Sequence, residues 1–167
     1  MWSEALSRRR ALAALGLAAL LPGCGFSPVH APGAPAGRLR GQVRPDAPDS
    51  ARGFHFVARI EERLGRAAAD APLALSFGLP LRRVETAQTG GGAPLRLALE
   101  GTARFRLRRR ADGEVLTRGR VSAFATYSDT GISVAVEAAR ADAERRLAVM
   151  LADRVAARLL ATAPDWA

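Results

Sequence analysis

The chain of 167 residues contains one cysteine, two histidines and no lysine, and these scarcities exclude several kinds of site. A single cysteine cannot form an internal disulfide. A structural zinc site needs several Cys or His ligands at short spacing, whereas the histidines are His30 and His55. Aromatic residues make up only 5% of the chain, which leaves few rings for stacking nucleic-acid bases. Cys24 is therefore a buried apolar residue, a reactive thiol or a site of covalent modification.

The residue sets of common enzymes are also missing from the sequence. There is no Ser/His/Asp set, no glycine-rich phosphate loop and no pair of histidines at metal-binding spacing. His55 stands between Phe54 and Phe56 and is interpreted as a packed or surface histidine. We therefore predict a protein that is not an enzyme and that holds no cofactor or metal.

The residues before Cys24 predict an export signal. Three arginines at residues 8–10 precede an apolar run of Ala, Leu and Gly that is too short to span a membrane, which takes about 20 residues. LPGC at residues 21–24 resembles the bacterial lipobox, although Pro22 departs from the usual small or hydroxyl residue. We expect residues 1–23 to be removed as a signal peptide and Cys24 to become an acylated N-terminus.

An acylated cysteine would anchor the protein, because each buried methylene of an acyl chain contributes about 0.8 kcal/mol. Gly25 follows the cysteine, and by resemblance to enterobacterial lipoproteins this favours the outer membrane, on its periplasmic side. A plain secretory signal with Cys24 as a free thiol is the alternative. The arginine run leaves the choice between the general secretory and the twin-arginine export routes open.

The charge balance favours a polyanionic partner. The chain has 25 basic and 16 acidic residues, and every basic residue counted is arginine. The exclusive use of arginine is explained either by coding bias or by selection for bidentate phosphate binding. Removing residues 1–23 leaves 22 basic and 15 acidic residues, a net charge of +7. An exported, membrane-tethered protein rarely meets nucleic acid. Lipopolysaccharide, with its phosphates and acidic sugars, is the polyanion expected at an outer membrane.

The first half of the chain predicts a linker followed by the start of a folded domain. Residues 24–37 read as the acylated N-terminus and a flexible Pro/Gly/Ala linker, and residues 38–163 as a single domain. Within it we predict a first strand at 39–43 and a helix from an N-cap at Asp49 or Ser50 to about residue 70. A short strand is predicted at 79–85.

A long hairpin gives the clearest pattern. Apolar and charged side chains alternate over residues 95–108, which predicts a half-buried strand, and a second strand follows the Asp112-Gly113 turn and ends at Tyr127. A three-residue loop that pairs Arg110 with Glu114 keeps the apolar residues of both strands on one face, whereas a two-residue loop mixes apolar and charged residues.

The three-residue loop crowds arginines on the other face of the hairpin. It places Arg106 opposite Arg118 and Arg104 opposite Arg120, pairs that destabilise a hairpin unless another group supplies negative charge. We take this face as the candidate lipopolysaccharide-binding site, with a solvated surface as the alternative. Its residues are Arg104, Arg106, Arg108, Arg118 and Arg120.

The C-terminal region predicts one long amphipathic helix over residues 133–161. Val136, Leu147, Leu151 and Val155 lie on its apolar stripe. The whole pattern predicts an α+β fold, a two-layer sandwich with two helices on one face of a mostly antiparallel or mixed sheet of about four strands. One face of the sheet would have no helical cover.

Three stretches resemble the LptE family, the lipoprotein subunit of the outer-membrane lipopolysaccharide assembly complex. They are GCGFSP at residues 23–28, the hairpin at 95–127 and the helix segment DAERRLAVMLADRVAARL at 142–159. The resemblance implies a plug within the lumen of the β-barrel LptD that supports barrel assembly and assists lipopolysaccharide insertion into the outer leaflet. It implies neither catalysis nor a cofactor.

Two other functions fit parts of the sequence. An accessory lipoprotein of an ABC-type phospholipid transport system would share the anchor, the size and the α+β character. A periplasmic hydrolase is the second alternative, but it lacks a recognisable nucleophile and base.

Overall fold

The computed structural model describes residues 35–88, 94–128, 133–163 and 166. Cys24 and the expected signal peptide lie outside these residues. None of the helices among these residues combines the length and the apolar character that a membrane span requires. The elements in chain order are α1 (Pro35–Leu39), β1 (Val43–Pro45), α2 (Ala51–Leu64), β2 (Leu73–Gly78), β3 (Leu81–Gln88), β4 (Pro94–Arg109), β5 (Val115–Ser128) and α3 (Ser133–Thr162).

The sheet is organised around β4. One edge of β4 pairs antiparallel with β5, and the other edge pairs antiparallel with β2 over residues 104–109 and with β3 over residues 94–101. β2 and β3 therefore lie end to end along the same edge. β1 adds to β2 in parallel, which makes the five-stranded sheet mixed. The predicted α+β sandwich is confirmed, with one strand more than the four expected.

The first half of the chain departs from the sequence-based boundaries. The strand expected at 39–43 is wrong, since α1 ends at Leu39 and β1 spans only Val43–Pro45. α1 also takes in residues 35–37 of the segment expected to be a linker. The strand expected at 79–85 corresponds to β3, whereas β2 was not predicted.

Helix α2 begins as predicted and ends early. Ser50 is its N-cap and accepts a 3.1 Å hydrogen bond on Oγ from the Gly53 amide, as short hydroxyl side chains do at helix starts. The helix ends at Leu64, not near residue 70, because Gly65 adopts a positive φ of 81° that breaks the helical path.

Helix α3 supplies most of the layer that covers the sheet. It spans Ser133–Thr162, close to the predicted 133–161, and fills one face of the sheet together with α2. Val136 of the predicted stripe is only partly buried, and so is Met150. The buried residues of α3 are Ala143, Leu147, Ala148, Leu151, Ala152, Val155, Ala156, Leu159 and Leu160.

Ion pairs join the two long helices along their exposed seam. The guanidinium of Arg59 donates to both carboxylate oxygens of Asp153, at 2.9 and 3.2 Å, and Arg52 donates to Glu144 at 3.2 Å. Asp153 and Glu144 lie at the rim of the interhelical contact, where they fix α2 against α3.

The hairpin has the predicted register but a different turn. Arg106 lies opposite Arg118, and Arg104 opposite Arg120. Arg110 does not pair with Glu114, however, because the Arg109 amide donates to the Glu114 carbonyl at 2.9 Å. The loop is thus one residue longer than predicted. A bulge follows in β5, between Val115 opposite Arg108 and Thr117 opposite Leu107, and it brings the rest of the hairpin back to the predicted register.

Gly101 permits the close approach of α3 to the middle of β4. A Cβ atom at Gly101 would lie 2.8 Å from Cδ2 of Leu147 and 3.2 Å from Cδ1 of Leu151. Both leucines are almost fully buried in close-packed surroundings, so they cannot swing aside to make room. The absence of a side chain at this point fixes the distance between the helical layer and the sheet.

We predict that Gly101→Ala destabilises the protein by about 1–3 kcal/mol, since overpacking a dense core forces neighbouring side chains off their rotamers. Gly78→Ala is the matched control, because no atom lies within 4 Å of a Cβ built there. Urea unfolding of both variants would measure the difference. Equal unfolding midpoints for the two would contradict the close-approach argument.

Candidate functional site

The face of the sheet opposite the helices carries the predicted arginines. Along β4 the odd-numbered side chains from Leu97 to Leu107 are buried under the helices, and the even-numbered ones point to the uncovered face. The same alternation continues along β5 from Arg118 onward. All five predicted arginines are exposed on this open face.

Four of the five arginines line one groove. The groove has a volume of about 600 Å³ and crosses β2, β4 and β5 at the same level. Its open-face residues are Ser76, Arg104, Arg106, Arg118 and Arg120, and Phe77, Phe105 and Gly119 lie between them along the strands. We call this the arginine groove. Arg108 lies beyond it, opposite Val115, because the bulge shifts the strands there.

The arginine pairs occupy the narrow positions of the β4–β5 ladder. In antiparallel sheets, directly opposed residues alternate between hydrogen-bonded pairs and closer, non-hydrogen-bonded pairs with Cα atoms about 4.5 Å apart. The Thr102 amide donates away from β5, to the Pro80 carbonyl at 3.0 Å, which makes Thr102 and Ser122 a non-hydrogen-bonded pair. Their hydroxyls are accordingly 3.0 Å apart.

The two arginine pairs lie two and four residues along the ladder from the Thr102–Ser122 pair, and the register does not shift between them. They are therefore also non-hydrogen-bonded pairs. Arg104 and Arg120 are therefore a close pair, and so are Arg106 and Arg118. Like charges at such positions repel more strongly than at the wide positions of a ladder. The fold thus holds four guanidinium groups together in one small area.

No carboxylate balances the arginine groove among the described residues. Elsewhere the protein pairs its arginines readily: Arg82 binds Glu100 on the same open face, and Asp142 accepts from both Arg145 and Arg146. The side-chain hydrogen bond from Arg145, followed by that from Arg146, lowers the pKa of Asp142. The lack of counter-charge in the arginine groove is therefore a local property rather than a shortage of acids throughout the chain.

The hairpin turn next to the arginine groove is held by its own charge cluster. Arg109 donates to Asp112 at 2.8 Å and also to Glu114, while the Glu114 amide donates to Asp112 at 3.0 Å. These bonds, first the one from the Glu114 amide and then the one from Arg109, lower the pKa of Asp112. The acids of the turn are thus engaged with Arg109.

Strand β2 is the part of the site that was not predicted from the sequence. Ser76 lies opposite Arg106, and Gly78 lies opposite Arg104. These small residues, with Ala74, leave space beside the long arginine side chains. Leu73, Leu75 and Phe77 alternate with them, so the two-residue period of a strand is present in the sequence.

The remaining candidate residues do not join this site. His55 is half-buried on α2, with its ring 6.0 Å from that of Phe54. Cys24 lies outside the described residues. Within the described ranges, no three His, Cys, Asp or Glu side chains come close enough together to hold a metal ion. The arrangement on the open face is suited to an anion that several guanidinium forks can grip at once.

The family model of LptE, described as lipopolysaccharide-assembly, matches residues 38–159. The chain belongs to the LptE family. This confirms the family suggested by the sequence and gives the protein a role in lipopolysaccharide assembly. The matched range covers both the arginine groove and nearly all of α3.

Crystal structures of three bacterial lipoproteins share the fold of this LptE-family chain. A candidate lipoprotein of Caulobacter crescentus CB15 is 18% identical with a TM-score of 0.66, and the match covers 77% of this chain and 96% of that one. Rare lipoprotein B of Shewanella oneidensis is 14% identical with a TM-score of 0.55, covering 74% and 96%. A minor lipoprotein of Acinetobacter baumannii is 16% identical with a TM-score of 0.52, covering 71% and 88%.

The comparison with curated proteins found no match. The likeness to the three lipoproteins supports the fold alone.

Proposed function

We propose that this LptE-family protein binds lipopolysaccharide phosphate through the arginine groove while it plugs and supports an LptD-type β-barrel. The observation that carries the proposal is the set of four uncompensated guanidinium groups on the open face of the sheet. Phosphates that bridge them would convert mutual repulsion into charge-assisted hydrogen bonds. The proposal requires no catalytic step.

The one-sided architecture is compatible with a plug. α2 and α3 cover one face of the sheet, whereas among the described elements nothing covers the other. Phe124 is 68% exposed on that open face, on the same strand as Arg118 and Arg120. A partner wall facing the open face would shield Phe124 and exclude water from the arginine groove, which would strengthen its grip on an anion.

We predict that Arg106→Glu combined with Arg118→Glu abolishes measurable lipopolysaccharide binding, because carboxylates would then face the phosphates. Binding of purified lipopolysaccharide to the full chain would be measured at two salt concentrations. The parent protein should bind more weakly at the higher salt, since screening reduces charge attraction.

Arg83→Glu combined with Arg145→Glu is the matched control for this experiment, since it changes the net charge equally on exposed residues outside the arginine groove. It should bind nearly as well as the parent. Arg106→Gln with Arg118→Gln tests the fold separately, because it removes the repulsion and should unfold no earlier than the parent at low salt. Equal binding by the double-glutamate variant and the parent at both salts would refute the phosphate site.

We predict a one-to-one complex with an LptD-type barrel and a fall in correctly assembled barrel when this protein is depleted. The barrel level would be followed by immunoblotting of outer-membrane fractions, and the complex by purification of the tagged chain. The double-glutamate variant should still form the complex, because both substitutions lie at exposed positions and leave the buried core unchanged. Co-purification with an inner-membrane ATPase complex, and a normal barrel after depletion, would favour the phospholipid-transport alternative.

We propose that Cys24 is the acylated first residue of the mature protein and anchors it at the periplasmic side of the outer membrane. Intact-mass spectrometry of membrane-extracted protein should show the loss of residues 1–23 and the added mass of acyl chains. Cys24→Ala should release the protein from the membrane fraction. An unmodified thiol on a freely soluble chain would contradict the anchor.

A further inference from the structure

The outer edge of β5 is open to another strand over part of its length. β5 pairs with β4 on one side, and no described strand pairs with its other side. Since Thr102 and Ser122 form a non-hydrogen-bonded pair, the even-numbered residues of β5 direct their backbone N–H and C=O groups outward. An edge of this kind is a template for strand addition unless something covers it.

Helix α3 covers the second half of this edge with two guanidinium groups. Arg154 donates to the Ser122 carbonyl, and Arg146 donates to the Thr126 carbonyl at 3.0 Å. Eight helical residues advance about 12 Å and four strand residues about 13 Å, so the two arginines match two outward carbonyls along the edge. Pairing with another strand is blocked there because these acceptors are occupied.

The first half of the edge has no such cover in the described part of the chain. The outward N–H and C=O groups of Arg118 and Arg120, and the Ser122 N–H, meet no hydrogen-bonding partner among the described residues. The guanidinium group of Arg158, one helical turn beyond Arg154, is exposed and likewise has no partner among the described residues. Positive side chains thus lie on both elements that border the open half.

The charges decide which strand fits this open half. A second copy of β5 would bring Arg118 and Arg120 against their own counterparts, which is unfavourable. An extended segment with carboxylates at alternate positions would place them beside these arginines while its backbone completes the ladder.

We propose that the edge of β5 from Arg118 to Ser122 accepts an added strand from an acidic extended segment of a partner protein. The inference rests on the edge geometry and is independent of lipopolysaccharide binding.

The test uses the ¹⁵N-labelled full chain and the peptide acetyl-Thr-Glu-Val-Glu-Val-Glu-Thr-amide. Strand addition should slow hydrogen exchange at the amides of Arg118, Arg120 and Ser122 and leave Thr126 unchanged. Glycolipid held by arginine side chains would not protect these backbone amides, so this readout separates the two proposals. The same peptide with glutamine for glutamate should bind about tenfold more weakly.

Two variants separate the charge of Arg120 from its backbone amide. Arg120→Gln removes only the charge and should weaken peptide binding. Arg120→Pro also removes an outward N–H group that the β4–β5 ladder does not use, so the peptide should no longer protect the neighbouring amides from hydrogen exchange. Three results would overturn the proposal. The glutamine peptide could bind as well as the glutamate peptide, the peptide could bind without protecting these three amides, or self-association could protect them in the absence of peptide.

Discussion

The strict alternation of side chains along β4 is the constraint on which the structure depends. Its odd-numbered residues form the floor of the core under α3, and its even-numbered residues form the centre of the open face. A shift of one residue would bury the arginines and expose the leucines, so the core and the arginine groove are set by the same register. Gly101 adds a second condition, because the helix can approach only where β4 lacks a side chain.

The parts with long, regular periods were predictable from the sequence. The register that pairs Arg106 with Arg118 follows from keeping the apolar residues of the hairpin together, and the burial of one face makes it robust. The predicted register is correct although the predicted turn was one residue too short, because the bulge opposite Arg108 offsets the extra loop residue. α3 was predictable for the same reason, since its apolar stripe repeats from Val136 to Leu159.

The parts that depend on tertiary contacts were not predicted. β2 is only six residues long, and its pairing with the far end of β4 depends on how the chain turns between β2 and β3. The end of α2 depends on Gly65, whose positive φ coincides with a 2.7 Å hydrogen bond from the Gly41 amide to the Leu64 carbonyl. The ion pairs of Arg59 and Arg52 with α3 could not be predicted without knowing which faces of α2 and α3 meet. The arginine groove was therefore predicted in its central residues but without the wall that β2 provides.

The arginine groove and the open half of the β5 edge share two residues, which couples whatever they bind. The side chains of Arg118 and Arg120 line the groove, and their backbone groups form the edge. An acidic strand at the edge and a phosphate in the groove would compete for the same guanidinium charge, so each would weaken the other by the same factor. A partner strand would then lower the affinity for glycolipid phosphate without entering the groove. If the arginine groove binds glycolipid as proposed, such antagonism would release the lipid without any movement of the core beneath the sheet.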